Sequence, residues 1–138
     1  MKYKSGYKYQ LVENEYFHGD VLPVKPLVDT EYIALDDNGD LTIRAGYAWD
    51  GASGPTIQSA DSMRASLIHD AYYQLIRQGY VDMSYREQAD SAYRRICIED
   101  GMPHPRAQAH YMALRMFGAT AAMSESEPVV IESPSQRK

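Results

Sequence analysis

Residues 31–79 contain the change of pattern that decides the fold, and they read EYIALDDNGDLTIRAGYAW, DGASGPTIQSA and DSMRASLIHDAYYQLIRQG. The first part has two runs of β-forming residues around Asn38-Gly39, a pair that readily adopts the positive φ angles of a tight hairpin turn. We therefore predict a β-hairpin over residues 31–48. The small residues and proline that follow Trp49, in residues 50–55, predict a loop.

A helical pattern begins after this loop. Apolar residues recur at intervals of three and four along residues 61–78 and stop at Gly79, which predicts a first helix with one buried face. A second helix is predicted over residues 85–100, ending before Gly101. Because only a short loop separates these two helices, we expect them to pack antiparallel.

The start of the second helix and the whole of the third have their own signals. Ser84 and Glu87 have the spacing of a capping box, in which each side chain bonds a backbone N–H of the first turn. A third helix is predicted over residues 105–117, since prolines are tolerated in a first helical turn. One apolar stripe runs along it, formed by Ala109, Met112, Ala113 and Met116.

The two ends of the chain differ in character. Residues 2–12 alternate polar and apolar side chains, which predicts a strand with one covered face. The last twenty residues are rich in Ser, Glu and Pro without periodicity, which predicts disorder. The sequence thus predicts one α+β domain, 1–118, made of a β-rich part (1–48), a loop (49–58) and a helical part (59–118), followed by a flexible tail (119–138).

Composition limits the class of protein. The chain has 138 residues, a formal net charge of −5 and one cysteine, Cys97. A single cysteine excludes an intrachain disulfide and a zinc site built from several cysteines. The acidic balance argues against nucleic acid as the main partner, because such binding depends on Lys and Arg. No apolar stretch approaches the ~20 residues of a membrane span, and we expect neither a transmembrane segment nor a signal peptide.

His69 is the best placed of the four histidines. It lies mid-helix within the apolar stripe, and Tyr73 follows four residues later on the same face. In the second helix, Asp90 lies among apolar residues that face the helix pair, so antiparallel packing brings its carboxylate towards His69. A carboxylate that fixes one imidazole nitrogen leaves the other free to take a proton from water, which makes the pair a candidate general base.

A divalent cation site is predicted beside this pair. Asp50 and Gly51 offer a carboxylate and a backbone carbonyl in a loop of small residues, and oxygen ligands of this kind are preferred by calcium. Asp70 lies about 100° around the helix from His69, so it points in another direction and completes the oxygen set. Such a cation polarises a carbonyl or phosphoryl oxygen.

Each of these residues also has a purely structural interpretation. A histidine in an amphipathic helix is usually a packed, hydrogen-bonded residue, and Tyr73 is ordinarily half-buried core. Asp90 has Arg86 and Arg94 one turn away as candidate ion-pair partners, and Asp50-Gly51 is a common turn sequence. His18 is expected in a turn, His104 at a helix start and His110 at a solvated position. The combination of these elements, rather than any one of them, favours function.

The same residues resemble a small family of uncharacterised proteins carried mainly by tailed bacteriophages and prophages. The resemblance covers residues 41–118 and rests on three motifs and a closing helix: Trp49-Asp-Gly-Ala-Ser53 with Pro55, Leu67-Ile-His-Asp-Ala-Tyr-Tyr73, Gln88-Ala-Asp90, and residues 109–118. It implies a phage or prophage origin, with the protein in the host cytoplasm or the virion.

A more distant similarity is to the core of the short microbial phospholipase A2 enzymes. That core has an Asp-Gly-Cys-Ser loop, a helix with His-Asp-x-x-Tyr and an antiparallel helix with an aspartate. The similarity implies that His69 is the general base, Asp90 its orienting partner and Tyr73 a support, with calcium held by Asp50, Gly51 and Asp70. This chain departs from the core in lacking the disulfides that hold loop to helix, because Ala52 and either Ser66 or Leu67 occupy those positions.

Two classes of function follow as expectations. The first is a calcium-dependent hydrolase that acts on a lipid or another ester. The second is a phage structural, assembly or host-takeover protein, with virion proteins as partners, in which the same side chains form a polar network between helices. A phosphohydrolase of the His-Asp type fits less well, because it needs further metal-binding histidines.

Overall fold

The computed structural model describes residues 1–4, 9–49 and 59–123, and it has a β-rich first half followed by three helices. This confirms the predicted α+β class and the order of its parts. The strands are β1 (Tyr3–Lys4), β2 (Tyr9–Leu11), β3 (Glu15–His18), β4 (Leu27–Asp29), β5 (Ile33–Asp36), β6 (Asp40–Ile43) and β7 (Ala48–Trp49). The helices are α1 (Met63–Arg77), α2 (Arg86–Glu99) and α3 (His104–Phe117).

The predicted hairpin is present, although it is shorter than expected. Strands β5 and β6 pair antiparallel, and Gly39 adopts a φ of 88° in the turn between them. The prediction extended this hairpin to Ala48, which was wrong, because β7 pairs with β2 in a second sheet. Gly46, with a φ of 101°, turns the chain, and its N–H donates to the carbonyl of Leu11 at 2.7 Å.

Two antiparallel sheets result from this change of direction. The four-stranded sheet has the order β3-β6-β5-β4, and the three-stranded sheet has the order β1-β2-β7. The single strand predicted over residues 2–12 is therefore wrong. Its two ends form β1 and β2, which pair with each other so that Tyr3 lies opposite Leu11.

The three helices lie close to their predicted bounds, and α1 and α2 form the expected antiparallel pair. The capping box predicted at Ser84 and Glu87 does not form. Asp82 instead accepts a hydrogen bond from the N–H of Ser84 at 2.9 Å, at the start of a 3-10 turn that precedes α2. The Glu87 carboxylate instead accepts hydrogen bonds from the hydroxyl groups of Ser91 and of Tyr111 in α3.

Helix α3 buries a different face from the one predicted. Ala107, His110 and Leu114 point into the protein, whereas Met112 and Met116 of the predicted stripe are 49% and 68% exposed. The prediction that His110 is solvated is wrong for the same reason. A stripe of apolar residues shows that a helix is amphipathic, but tertiary packing decides which side is covered.

The helical part continues beyond the predicted boundary at residue 118. Residues Ala119–Ala122 form a 3-10 turn, and the side chain of Ala122 is buried. Arg77 of α1 donates to the carbonyl of Ala121 at 3.0 Å. The remainder of the predicted tail, residues 124–138, lies outside the described residues.

Across the parts of the chain that the structure describes, no helix has both the length and the apolar character needed to cross a membrane.

Candidate functional site

The centre of the candidate site is a contact between α1 and α2. His69 lies midway along α1 and Asp90 lies in the first half of α2, and the imidazole Nε2 is 2.7 Å from the carboxylate Oδ1 of Asp90. Both side chains are buried, with 3% and 0% of their surface exposed. The predicted meeting of these two residues therefore takes place in the helix interface, where water does not compete for the hydrogen bond.

Tyr73 joins the same carboxylate. Its hydroxyl donates to Asp90 Oδ1 at 2.6 Å, and its ring lies 4.1 Å from the His69 ring, centre to centre. Residues four apart on a helix share a face, so α1 presents both donors to one carboxylate oxygen. The predicted contacts of Tyr73 with the pair are thus formed.

The second oxygen of Asp90 accepts from an arginine of α3. Arg115 Nη1 lies 2.7 Å from Asp90 Oδ2, while Arg86 Nη1 lies farther away, at 3.5 Å. Arg86 was a predicted partner, but Arg94, the other one, instead donates to Gln108 of α3. Arg115 was missed in the sequence analysis because it is twenty-five residues from Asp90, and nothing local in the sequence links the two.

Gly118 closes the site on the side of α3. A methyl group added at its Cα would lie 2.6 Å from the carbonyl of Leu114 and 2.7 Å from the Tyr73 hydroxyl. Its φ of −82° is accessible to any residue, so close packing, rather than backbone conformation, requires glycine here. Gly118 thus allows the end of α3 to lie directly against the polar cluster.

These contacts determine the charge of Asp90. Burial raises the pKa of its carboxyl group, but hydrogen bonds from His69, Tyr73 and Arg115 outweigh that effect and hold the pKa below its usual value. Burial, together with the hydrogen bond to Asp90, raises the pKa of the Tyr73 hydroxyl. The cluster therefore contains an ionised carboxylate and a neutral phenol at neutral pH.

The charge state defines the role of each imidazole nitrogen. An ionised carboxylate can only accept hydrogen bonds, so His69 Nε2 carries the proton that is donated to Asp90. When the imidazole is neutral, its lone pair is then on Nδ1, which points away from that hydrogen bond. The arrangement leaves Nδ1 as the nitrogen that can accept a proton.

A second polar contact lies behind His69. The Tyr93 ring meets the His69 ring edge to face at 5.6 Å, and the Tyr93 hydroxyl lies 2.9 Å from Nδ1 of His110. Burial, followed by the charge of Arg106, lowers the pKa of His110. His110 is thus a packed residue of the interior that fixes Tyr93 against the histidine of the site.

The predicted cation ligands are only partly covered by the structure. Asp70 is half-buried on α1, whereas Asp50 and Gly51 lie outside the described residues. Within residues 1–4, 9–49 and 59–123, no group of three or more His, Cys, Asp and Glu side chains is arranged to hold a metal ion. The predicted calcium site therefore stays a prediction.

Residues on either side of segment 50–58 are firmly held. Trp49 Nε1 donates to Ser66 Oγ of α1 at 2.9 Å, and the indole is 2% exposed. On the other side, Asp61 accepts two hydrogen bonds from Arg106 of α3, at 2.7 and 2.8 Å. Ser66 precedes Asp70 by one helical turn, so the Trp49 indole contacts α1 one turn away from Asp70.

The other predicted histidine positions lie elsewhere. His18 ends β3 instead of lying in a turn, and its Nδ1 is 2.7 Å from Asp40 in an exposed pair. His104 begins α3 and lines a groove of about 800 Å³ together with Glu87, Ser91 and Arg95. Neither His69 nor Asp90 lines this groove.

The chain matches a family of proteins whose function is unknown. Its description is "Protein of unknown function (DUF1353)", and the match covers residues 27–114, more than half of the chain. The matched range contains His69, Tyr73 and Asp90, and it ends one residue before Arg115. No curated protein and no solved structure matches the chain.

Proposed function

We propose that this chain, which belongs to the DUF1353 family, is a hydrolase in which His69 is the general base and Asp90 orients it. The substrate class is an ester, with phospholipids foremost, and a divalent cation, calcium first, assists the reaction. The resemblance of residues 41–118 to phage and prophage proteins supports a phage-encoded enzyme that acts in the host cytoplasm or the virion.

The observation that carries this proposal is the buried hydrogen bond of 2.7 Å between His69 Nε2 and Asp90 Oδ1. It fixes the tautomer and the orientation of the imidazole, as a general base requires. Tyr73 restrains the same carboxylate oxygen from the side. The similarity to the short phospholipase A2 core assigns these three residues the same roles.

The proposed reaction uses water as the nucleophile. As the water oxygen attacks the ester carbonyl carbon, its proton passes to Nδ1 of His69, and Asp90 stabilises the imidazolium that forms. The carbon–oxygen bond to the alcohol then breaks, and Nδ1 returns the proton to the departing alkoxide oxygen. The products are a carboxylic acid and an alcohol, and His69 is again neutral.

The cation would be held by Asp70, Asp50 and the carbonyl of Gly51. Trp49 supports this assignment, because it immediately precedes Asp50 and its indole is hydrogen-bonded to Ser66, which lies one helical turn before Asp70. Ser66 is one of the two helix positions, with Leu67, at which the resemblance to the phospholipases implies that they use a disulfide. When bound, the cation supplies charge that stabilises the developing oxyanion, an effect commonly worth a few kcal/mol.

A second function is favoured by the number of groups around Asp90. His69, Tyr73 and Arg115 all donate to this carboxylate, and only 3% of the His69 side chain is exposed. A network in which all of these hydrogen bonds are formed can have a purely structural role, which is to hold the three helices together. The chain would then be a phage structural, assembly or host-takeover protein, with virion or host proteins as partners.

Fatty acid release from phosphatidylcholine vesicles, with calcium and with a chelator, separates the two functions. The informative variant is His69→Gln, whose amide can still donate to Asp90. Loss of the base is expected to lower turnover by about 10² to 10⁴-fold. His18→Gln is the matched control, since His18 forms a 2.7 Å pair with Asp40 on the surface, and it should retain wild-type turnover.

The outcomes are distinct. Absence of calcium-dependent release by the wild type, or equal release by His69→Gln and the wild type, overturns the hydrolase proposal. Cation binding is measured separately by thermal denaturation. Calcium should raise the melting temperature of the wild type and of Asp40→Asn but not that of Asp70→Asn, and equal increases in all three would exclude Asp70 as a ligand.

A further inference from the structure

We infer that Arg115 is a positioning residue of this site: its guanidinium holds Asp90 so that His69 keeps its proton on Nε2 and its lone pair on Nδ1. The inference rests on the proposed function, because only a general base needs that particular nitrogen free. The inference also makes α3 a part of the candidate site, in addition to α1 and α2.

The two oxygens of Asp90 are divided between different helices. Oδ1 accepts from the two donors of α1, His69 at 2.7 Å and Tyr73 at 2.6 Å. Oδ2 accepts from Arg115 of α3 at 2.7 Å. The plane of the carboxylate is therefore fixed from both ends, and the Arg115 contact determines which oxygen remains for His69.

Arg86 does not duplicate this role. Its Nη1 is 3.5 Å from Asp90 Oδ2, and the guanidinium donates to the Leu114 and Arg115 carbonyls at 3.1 and 3.3 Å. Arg86 of α2 thus binds the last turn of α3, while Arg115 of α3 binds Asp90 of α2. This reciprocal arrangement fixes the end of α3, and with it the Arg115 guanidinium, against the carboxylate.

Charge explains why a cation is needed on Oδ2. Among the residues that the structure describes, four side chains contact the buried carboxylate: His69 and Tyr73 from α1, Arg86 from α2 and Arg115 from α3. An isolated buried carboxylate is disfavoured and tends to take up a proton. Hydrogen bonds from His69 and Tyr73 favour the ionised carboxylate, and Arg115 adds to them the arginine contact that lies closest to Asp90, at 2.7 Å from Oδ2.

Removal of Arg115 would reverse the polarity of the hydrogen bond to His69. Asp90 would take one proton from solvent, and the neutral carboxyl group would donate it to Nε2. The proton that His69 carried on Nε2 would be released, and Nδ1 would be protonated in its place. Because Nδ1 would then have no lone pair, the imidazole could not accept a proton from water.

Nitrogen NMR of the histidine side chains detects this change directly. We expect the neutral imidazole of His69 to be the Nε2–H tautomer in the wild type and the Nδ1–H tautomer in Arg115→Met. Arg115→Lys restores a positive charge and is expected to retain Nε2–H. Arg106→Met is the matched control, because Arg106 lies on the same helix and forms a 2.7 Å pair with Asp61.

The inference is overturned if folded Arg115→Met retains the Nε2–H tautomer, even when its melting temperature falls, because loss of stability alone would reflect only packing. If Arg115→Met does not fold, Arg115→Gln replaces it with the same expectation. Vesicle hydrolysis by the same variants should show a lower kcat with an unchanged KM. A wild type without hydrolysis would refute the proposed function, whereas the tautomer result would still decide the role of Arg115.

Discussion

Asp90→Asn is the most informative single change in this protein, because it keeps the size of the side chain and removes only its charge and one acceptor. The asparagine oxygen can still accept from His69 and Tyr73. Its amide nitrogen then faces Arg115, 2.7 Å from the replaced oxygen. Two donors would point at each other inside the helix interface, and two arginines would lose their common counter-charge.

The expected loss of stability follows from the burial of the Asp90–Arg115 pair. Removal of one member of a buried charge pair costs about 3–5 kcal/mol. Because 30% of the Arg115 side chain is exposed and water can partly solvate it, we expect the lower end, about 3 kcal/mol. At about 4 °C per kcal/mol for a domain of this size, the melting temperature should fall by about 12 °C.

Urea denaturation of the wild type, Asp90→Asn and Asp40→Asn measures the loss. Asp40 is the control, because it forms a His–Asp pair of the same 2.7 Å length in which the side chains are 58% and 72% exposed. Such an exposed pair is expected to contribute less than about 1 kcal/mol. Equal free energies of unfolding for the two variants would refute the argument from burial.

The stability lost in Asp90→Asn should also depend on pH. Burial alone raises the pKa of Asp90, but its hydrogen bonds hold the pKa below the ordinary value of 3.8. A group whose pKa is lower in the folded state stabilises the protein above its unfolded pKa, and it loses that contribution as the pH falls through the folded pKa. The gap in stability between the wild type and Asp90→Asn should therefore narrow as the pH falls below about 4, where the Asp90 carboxylate of the wild type begins to take up a proton.

Two further substitutions test the surroundings of the site. Gly118→Ala should lower the melting temperature by several degrees in a calorimetric scan. The added methyl would lie 2.6 Å from the Leu114 carbonyl, and overpacking of this kind costs about 1–3 kcal/mol. An unchanged melting temperature would show that α3 can move away from the added methyl. Ser66→Ala should lower the free energy of unfolding, measured by urea denaturation, by about 1–3 kcal/mol, because it leaves the buried Trp49 N–H without its acceptor. Ser91→Ala on the surface of α2 is the control, and its free energy of unfolding should stay within about 0.5 kcal/mol of the wild type.

The fold could be predicted where local patterns determine structure. Asn38-Gly39 predicted the β5–β6 hairpin, and apolar periodicity predicted the three helices within a few residues. The prediction failed where pairing between distant segments decides the outcome. Ala48 was assigned to the hairpin because its neighbours favour strands, but it pairs with Gln10 in the other sheet.

The same distinction applies to the site. His69 and Tyr73 could be placed together because they share a helix face, and Asp90 could be added because a short connection imposes antiparallel packing. Arg115 could not be identified, since its partner depends on which side of α3 is buried. Met112 and Met116 were predicted to lie in the buried apolar stripe of that helix but are exposed, and no local pattern in the sequence indicates which face is covered.

By itself, the sequence determined the succession of strands and helices and the presence of an imidazole, a phenol and a carboxylate on two adjoining helices, because these depend on backbone propensity and helical repeat. Only the tertiary structure decided the pairing of the strands, the buried face of α3 and the bonding of the two Asp90 oxygens, one to α1 and the other to α3. Those features depend on how distant surfaces fit together and on where a buried charge finds its counter-charge.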